Sequence, residues 1–216
     1  EKRYLDNPDN ISYGLDYSDR LIKADRIDES KQILRRIISK DPTSKLAYQK
    51  LGKVSWDSDD LESASSAYES LFKIDPRDGK VAIKISDIYI DSENFGKALR
   101  WADKAINLID NNGKGYGQKG KVYYKGWETL KQNPLSVDDR IVAKLAYNNF
   151  VKAEKLNYRG FSRSKYLQEN AKDLLYGKAQ WFMAEDRVKR SGKIGTTTAS
   201  YDWATDELSP EKDWKK

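Results

Sequence analysis

The sequence predicts an all-α fold of paired helices set in tandem, and three observations predict it. Apolar and small residues recur at helical spacing in successive blocks. Short polar breaks separate the blocks, and prolines or acidic turns close them. The whole pattern returns after 34 residues, from Ile11–Ser44 to Lys45–Asp78 to Gly79–Asn112, and a fixed period of this size marks stacked repeats.

Each element follows from its residues. Residues 1–10, EKRYLDNPDN, are polar and read as a lead-in segment, ordered where Tyr4 and Leu5 dock on the first helix. The first repeat predicts helices near 11–25 and 28–40, with Ser18, Leu21, Ile27, Ser30, Leu34 and Ile37 in its slots and Pro42 behind it. The second is the clearest. Tyr48, Leu51, Gly52 and Val54 form one helical face over 45–57, and Leu61, Ala64, Ala67, Tyr68 and Leu71 form another over 60–73. Asp57-Ser58-Asp59-Asp60 breaks the two and supplies capping side chains, and Pro76 ends the unit. The third predicts helices near 79–91 and 94–109. A fourth starts at Gly113, with Tyr116, Gly120 and Tyr123 in first-helix slots. Its second-helix signature, Ala146, Phe150 and Ala153, falls 14 residues late. That delay predicts an extended first helix, a break at Asn133-Pro134, and a long helix near 136–157 capped by Ser136 and Asp139.

After Asn157 the period is lost. Ser162 to Leu175 has helical spacing at Tyr166, Leu167, Ala171, Leu174 and Leu175 and predicts a capping helix; Ala179–Ala184 predicts one more short helix. Arg187–Ser200, RVKRSGKIGTTTAS, predicts an extended hairpin-like arm before a polar end with Tyr201, Trp203 and Trp214. The expected organisation is a lead-in over 1–10, repeats over 11–157, capping helices over 158–184 and an extended polar tail over 185–216.

In its motif this chain resembles the tetratricopeptide repeat family. The family's aromatic, Leu-Gly, Ala, aromatic and Pro positions fall on Tyr48, Leu51-Gly52, Ala64, Tyr68 and Pro76. The first and third copies depart from it, with Gly14 at the first aromatic and Asp110 at the Pro. The resemblance covers about half of the chain. It implies a right-handed α-α superhelix acting as a non-enzymatic protein–protein interaction scaffold or adaptor. The order of motifs in the tail is similar to that of secreted or envelope members from bacteria, which implies a periplasmic or secreted setting. The absent starting Met reads as a trimmed or processed N-terminus.

Composition sets further bounds. The chain of 216 residues is 38% hydrophobic and 34% charged, a folded and surface-rich balance. No apolar run approaches the roughly 18 residues that span a bilayer. With no Cys and no His, disulfides, Cys or His metal ligands, Cys nucleophiles and His-based triads are excluded. No cofactor is expected. Gly113-Lys114-Gly115-Tyr116-Gly117-Gln118-Lys119-Gly120 lacks the preceding strand and the Ser or Thr of a phosphate-binding loop, and Gly120 already fills a repeat slot. Asp59-Asp60 and Asp138-Asp139 open helices, where carboxylates cap free N–H groups.

The net charge of +6 is uneven: residues 1–112 hold 19 Lys/Arg against 21 Asp/Glu, and residues 113–216 hold 21 against 13. The basic half therefore offers an alternative function as a polyanion-binding or catalytic module built on Lys, Tyr and acidic residues. Nucleic acid is not expected, since no recognisable nucleic-acid motif is present.

The resemblance also nominates binding residues, because in the family the first helix of each repeat lines the concave face. Position 12 of the four repeats holds Ile22, Trp56, Ile90 and Tyr124. Position 9 holds Asp19, Lys53, Asp87 and Lys121, and position 13 holds Lys23, Asp57, Asp91 and Lys125. The expected partner-binding set is Ile22, Lys53, Trp56, Asp57, Asp87, Ile90, Asp91, Lys121, Tyr124 and Lys125. The competing reading packs position 12 between neighbouring helices. The Lys/Asn clamp some members use for C-terminal carboxylates is missing, with Leu15 and Asp19 in its place. Occupants expected for the groove are a partner peptide, a second copy, or the chain's own Tyr201 and Trp203.

Overall fold

The computed structural model describes residues 2–109, 113–158, 160, 171–212 and 214. It is all-α: the described residues hold no named strand, and a lone antiparallel bridge joins Ile194 and Leu208. The chain forms two compact units, Glu1–Ser92 and Glu93–Lys216.

In the first unit a short helix α1 (Lys2–Asp6) precedes α2 (Ile11–Lys23), α3 (Ile27–Lys40), α4 (Lys45–Asp57), α5 (Leu61–Ile74) and α6 (Gly79–Asp91). Each of α1 to α5 packs against the next. Local chemistry sets the boundaries. The side chains of Asn10, Asp60 and Asp78 accept N–H donors of Tyr13, Ser63 and Val81, satisfying groups a helix start leaves open. Asp25 and Asp59, 34 residues apart, hold φ of 58° and 60° in the tight turns between paired helices. Leu34, Leu51, Val54 and Ala67 form a buried cluster, with Leu15, Ile22, Ile27, Ile38 and Tyr48 packed on it. Gly52 permits the closest approach: a Cβ there would sit 2.7 Å from the Tyr68 ring.

In the second unit α7 (Phe95–Leu108) packs on α8 (Gly113–Leu130), and α8 packs on α9 (Val137–Lys155). The Gly-rich stretch from Gly113 lies inside α8, and a Cβ at Gly120 would meet the Phe150 ring at 2.6 Å, as at Gly52. Ser136 and Asp139 form a reciprocal capping box at the start of α9. Asn133-Pro134 is a cis peptide. Of the capping helix expected over Ser162–Leu175, most lies outside the described residues, Tyr166 and Leu167 included, as does Asp110; α10 (Ala171–Leu174) is its described end. Leu175 and Tyr176 are buried, and the Tyr176 N–H donates to the Arg140 carbonyl on α9. The short helix expected at 179–184 is α11 (Lys178–Met183).

The arm expected from Arg187 is not extended. Residues Asp186–Ser191 form a helix, α12, which ends at Gly192 in the left-handed region with φ of 66°. The residues beyond fold back on α7, α8 and α9. Trp203 lies 5.2 Å from the Phe95 ring and 5.8 Å from the Tyr123 ring, in a notch open only because residue 126 is glycine. Tyr201 Oη donates to Asp139 Oδ1 at 2.6 Å, and the N–H groups of Thr197 and Thr198 donate to Asp138 Oδ2. Lys119 bridges Asp103 on α7 and Asp206 on the tail, each at 2.8 Å, and Lys144 pairs with Glu211. Tyr201, Ala204, Leu208 and Trp214 are buried. Apolar surface and satisfied charges, not chain direction, hold this segment down.

Candidate functional site

The first unit carries an open cleft of about 350 Å³ on α2 and α4. Its lining is Asp19, Ile22, Lys23, Lys50, Lys53, Val54 and Asp57. The floor is apolar: Ile22 packs on the buried cluster that includes Val54. The rim is charged and self-paired. Lys50 Nζ lies 2.5 Å from Asp19 Oδ1 and links α4 to α2, and Lys53 pairs with Asp57 one turn on. Such a surface is apolar at its base and polar at its edge, the arrangement that peptide-binding sites share. No group of acidic side chains that could hold a metal ion occurs among the described residues.

Trp56 lies on the next turn of α4 and is not one of the residues that line the cleft. It is half-buried, and its indole Nε1 donates to Asp91 Oδ2 at 2.8 Å, which fixes the ring against α6. The position-12 and position-13 residues of neighbouring repeats therefore meet by a hydrogen bond. Asp87, on the same helix, is half-buried.

Two of the nominated apolar residues have little surface to give. Ile90 is 6% exposed and Tyr124 4%. Tyr124 packs on Trp127 and Phe150, and its hydroxyl reaches Glu128 at 3.3 Å. Lys125 pairs with that same glutamate, at 2.6 Å, and Lys121 is half-buried. Helical periodicity finds an apolar face, but it does not say how deeply each residue of that face is buried. The structure thus gathers Ile22, Lys53 and Asp57 at one cleft, sets Trp56 and Asp91 in contact with each other, and leaves Ile90 and Tyr124 in the packing. Lys50 and Val54 complete the cleft and were absent from the nominated set. The signal for Lys50 was its place one turn before Lys53, on the side facing Asp19.

Nor does the tail follow the position-12 stripe of α8. Tyr201 meets Asp139 on α9, Trp203 lies against Phe95 of α7 and against Tyr123 and Gly126 of α8, and Asp206 pairs with Lys119; Lys119, Tyr123 and Gly126 are positions 7, 11 and 14 of the fourth repeat. The Gly126 notch and the two carboxylates at the head of α9 select that side.

The sequence profile of the tetratricopeptide repeat matches residues 46–78, the span of α4, α5 and the turn after them. The chain carries a tetratricopeptide repeat. No curated protein sequence matches the chain. Among solved structures it is similar to a crystal structure of MamA, with 19% identity, a TM-score of 0.57, and coverage of 72% of this chain and 83% of that one. It is also similar to MamA from Desulfovibrio magneticus RS-1, residues 41 to the end, at 12% identity and a TM-score of 0.53, covering 69% and 76%. MamA AMB-1 aligns at 17% identity with a TM-score of 0.53, covering 73% and 78%. At such identities the likeness shows the repeat fold. The cleft falls on the first helices of this repeat and of the one before it.

Proposed function

We propose that this chain is a non-catalytic protein-interaction module, and that the cleft between α2 and α4 receives an extended peptide segment of its partner. The observation that carries this reading is the combination of an apolar floor, Ile22 and Val54, with a half-buried tryptophan on the next turn of α4, braced by Asp91. A ring already held by a hydrogen bond loses little freedom on binding, and such aromatic anchors dominate interface energies. The rim pairs Lys50–Asp19 and Lys53–Asp57 can exchange partners with a peptide that carries both charges. Repeat arrays present such surfaces to peptides in extended form.

Selection from a displayed peptide library, followed by fluorescence anisotropy, tests it. Trp56→Ala and Ile22→Asp should each weaken selected peptides by about tenfold or more, while Arg77→Ala on the exposed turn after α5 should not. Selected peptides that bind all three variants equally would refute the assignment of the cleft.

The polyanion reading of the basic half has less support. Lys119, Lys125, Lys144 and Lys193 are each paired with carboxylates. Lys104, Lys131 and Lys152 lie over the rings of Trp101, Trp127 and Tyr116. Cations so engaged have less to offer a polyanion.

A further inference from the structure

We propose that α11 and α12 form a peripheral docking patch for an anionic membrane surface. At the end of α11 two consecutive large apolar residues stand in solvent: Phe182 is 79% exposed and Met183 85%. They are held there, because the preceding Trp181 is buried and the start of the helix is fixed by the Gln180 side chain accepting from the Gly177 N–H at 3.0 Å. The same helix and the next carry exposed cations. Lys178 belongs to the same helix, and Arg187, Lys189 and Arg190 belong to α12. None of these four has an ion-pair partner among the described residues, in a unit where Lys119, Lys125, Lys144 and Lys193 all do. Lys189 Nζ lies 5.7 Å from the centre of the Phe182 ring, so apolar and cationic groups share one patch. The carboxylates nearby, Glu185 and Asp186, are outnumbered, and the segment from 178 to 190 keeps a net charge of +2.

Two projecting side chains are far too little area for a stable protein interface, which needs about 800 Å² per partner. For a bilayer interface the same pair suffices as a reversible anchor. Phe and Met enter between headgroups, and neighbouring Lys and Arg gain from the negative surface potential. The long stems of those cations allow their charges to stay at headgroup level while the ring goes deeper. The charge sign selects anionic over neutral lipid. No helix among the described residues is long and apolar enough to cross a membrane, so the contact rests on the surface.

The test is flotation of the full chain with vesicles of phosphatidylcholine alone or mixed with phosphatidylglycerol. Retention by the mixed vesicles only is expected, and Phe182→Ser/Met183→Ser should reduce it about tenfold or more. Both residues are exposed, so the fold should survive, which far-ultraviolet circular dichroism checks. Since the chain has no cysteine, Met183→Cys offers a single site for an environment-sensitive dye. Its emission should shift to the blue on mixed vesicles and stay unchanged on neutral ones. Absent retention, retention unaffected by the serine pair, or a dye that never leaves water would each overturn the proposal.

Discussion

Gly52 decides how closely α4 and α5 approach. Alanine normally improves a helix over glycine by about 1 kcal/mol. Here the added carbon would stand 2.7 Å from the Tyr68 ring, which is itself buried and has no room to retreat. Gly52→Ala is therefore expected to lower stability by about 1–3 kcal/mol, overpacking outweighing propensity. Thermal melts check this, and Tyr68→Leu in the same background should recover part of the loss; an unchanged or raised melting temperature counts against the register. The turn residue Glu93 gives the opposite sign. It holds φ of 54° where the other two turns have Asp25 and Asp59. A long side chain sits poorly in the left-handed region, while Asn tolerates it. Glu93→Asn should gain up to about 1 kcal/mol, read as a higher urea midpoint, and a lower midpoint would show that the glutamate side chain has work of its own.

At the scale of elements, the tail acts as a strap on α7, α8 and α9. Trp203 fills the Gly126 notch, so Trp203→Ala should cost about 2–4 kcal/mol, somewhat under a fully buried aromatic. Truncation after Ser191 removes Tyr201, Leu208 and Trp214 from buried sites. Its main expected effect is a lower melting temperature of the second unit, and an intact one would refute the strap. The anchor also depends on pH. Burial works to raise the Asp139 carboxyl, but donors from Tyr201, from Ser136 and from the Gln132 N–H outweigh it and hold it below the usual aspartate range. A lowered folded value gives stability that is present above the unfolded value of about 4 and lost as pH falls through the folded one. Burial, and then the hydrogen bond to Asp139, push the Tyr201 phenol above its ordinary value. That contribution is present below about pH 10 and lost as pH rises past it. The strap is thus firmest between about 4 and 10. Melting temperatures followed across pH should show both limbs, with Asp139→Asn flattening the acid one and Tyr201→Phe the alkaline one. Limbs untouched by either substitution would mean that other groups set them.

For the whole molecule, the two compact units each carry their own buried residues. Repeat arrays gain stability from each unit and its nearest neighbours, so a defect is felt locally. Ala64 is fully buried on α5, and Ala64→Leu should overpack the first unit. Hydrogen exchange should then accelerate in α2–α5 and change far less in α8 and α9. Equal acceleration in both would show one cooperative structure instead of two.

The helices themselves were legible in the sequence, because period and caps are local quantities. The blocks over 45–57 and 79–91 match α4 and α6 residue for residue. The Ser136–Asp139 spacing announced its capping box, and the late Ala146-Phe150-Ala153 signature announced the long α8 and the loop after it. Ile22 and Trp56 were nominated from their repeat position, and the cleft and the Asp91 hydrogen bond gave them a geometry. What periodicity could not rank was exposure. Ile90 and Tyr124 share a repeat position with Ile22 and Trp56, yet they are buried, since burial depends on what the neighbouring elements bring. The tail was the least legible part. Its anchors pair residues 59 to 62 positions apart, Thr197 and Thr198 with Asp138 and Tyr201 with Asp139. No pattern along the chain encodes such a meeting. By itself the sequence determined the repeat, its helices to within about two residues at each end, and its want of cysteine and histidine. The tertiary structure alone decided which members of a repeat position stay at the surface, and where the last residues come to rest, because both are set by contacts between segments far apart in the chain.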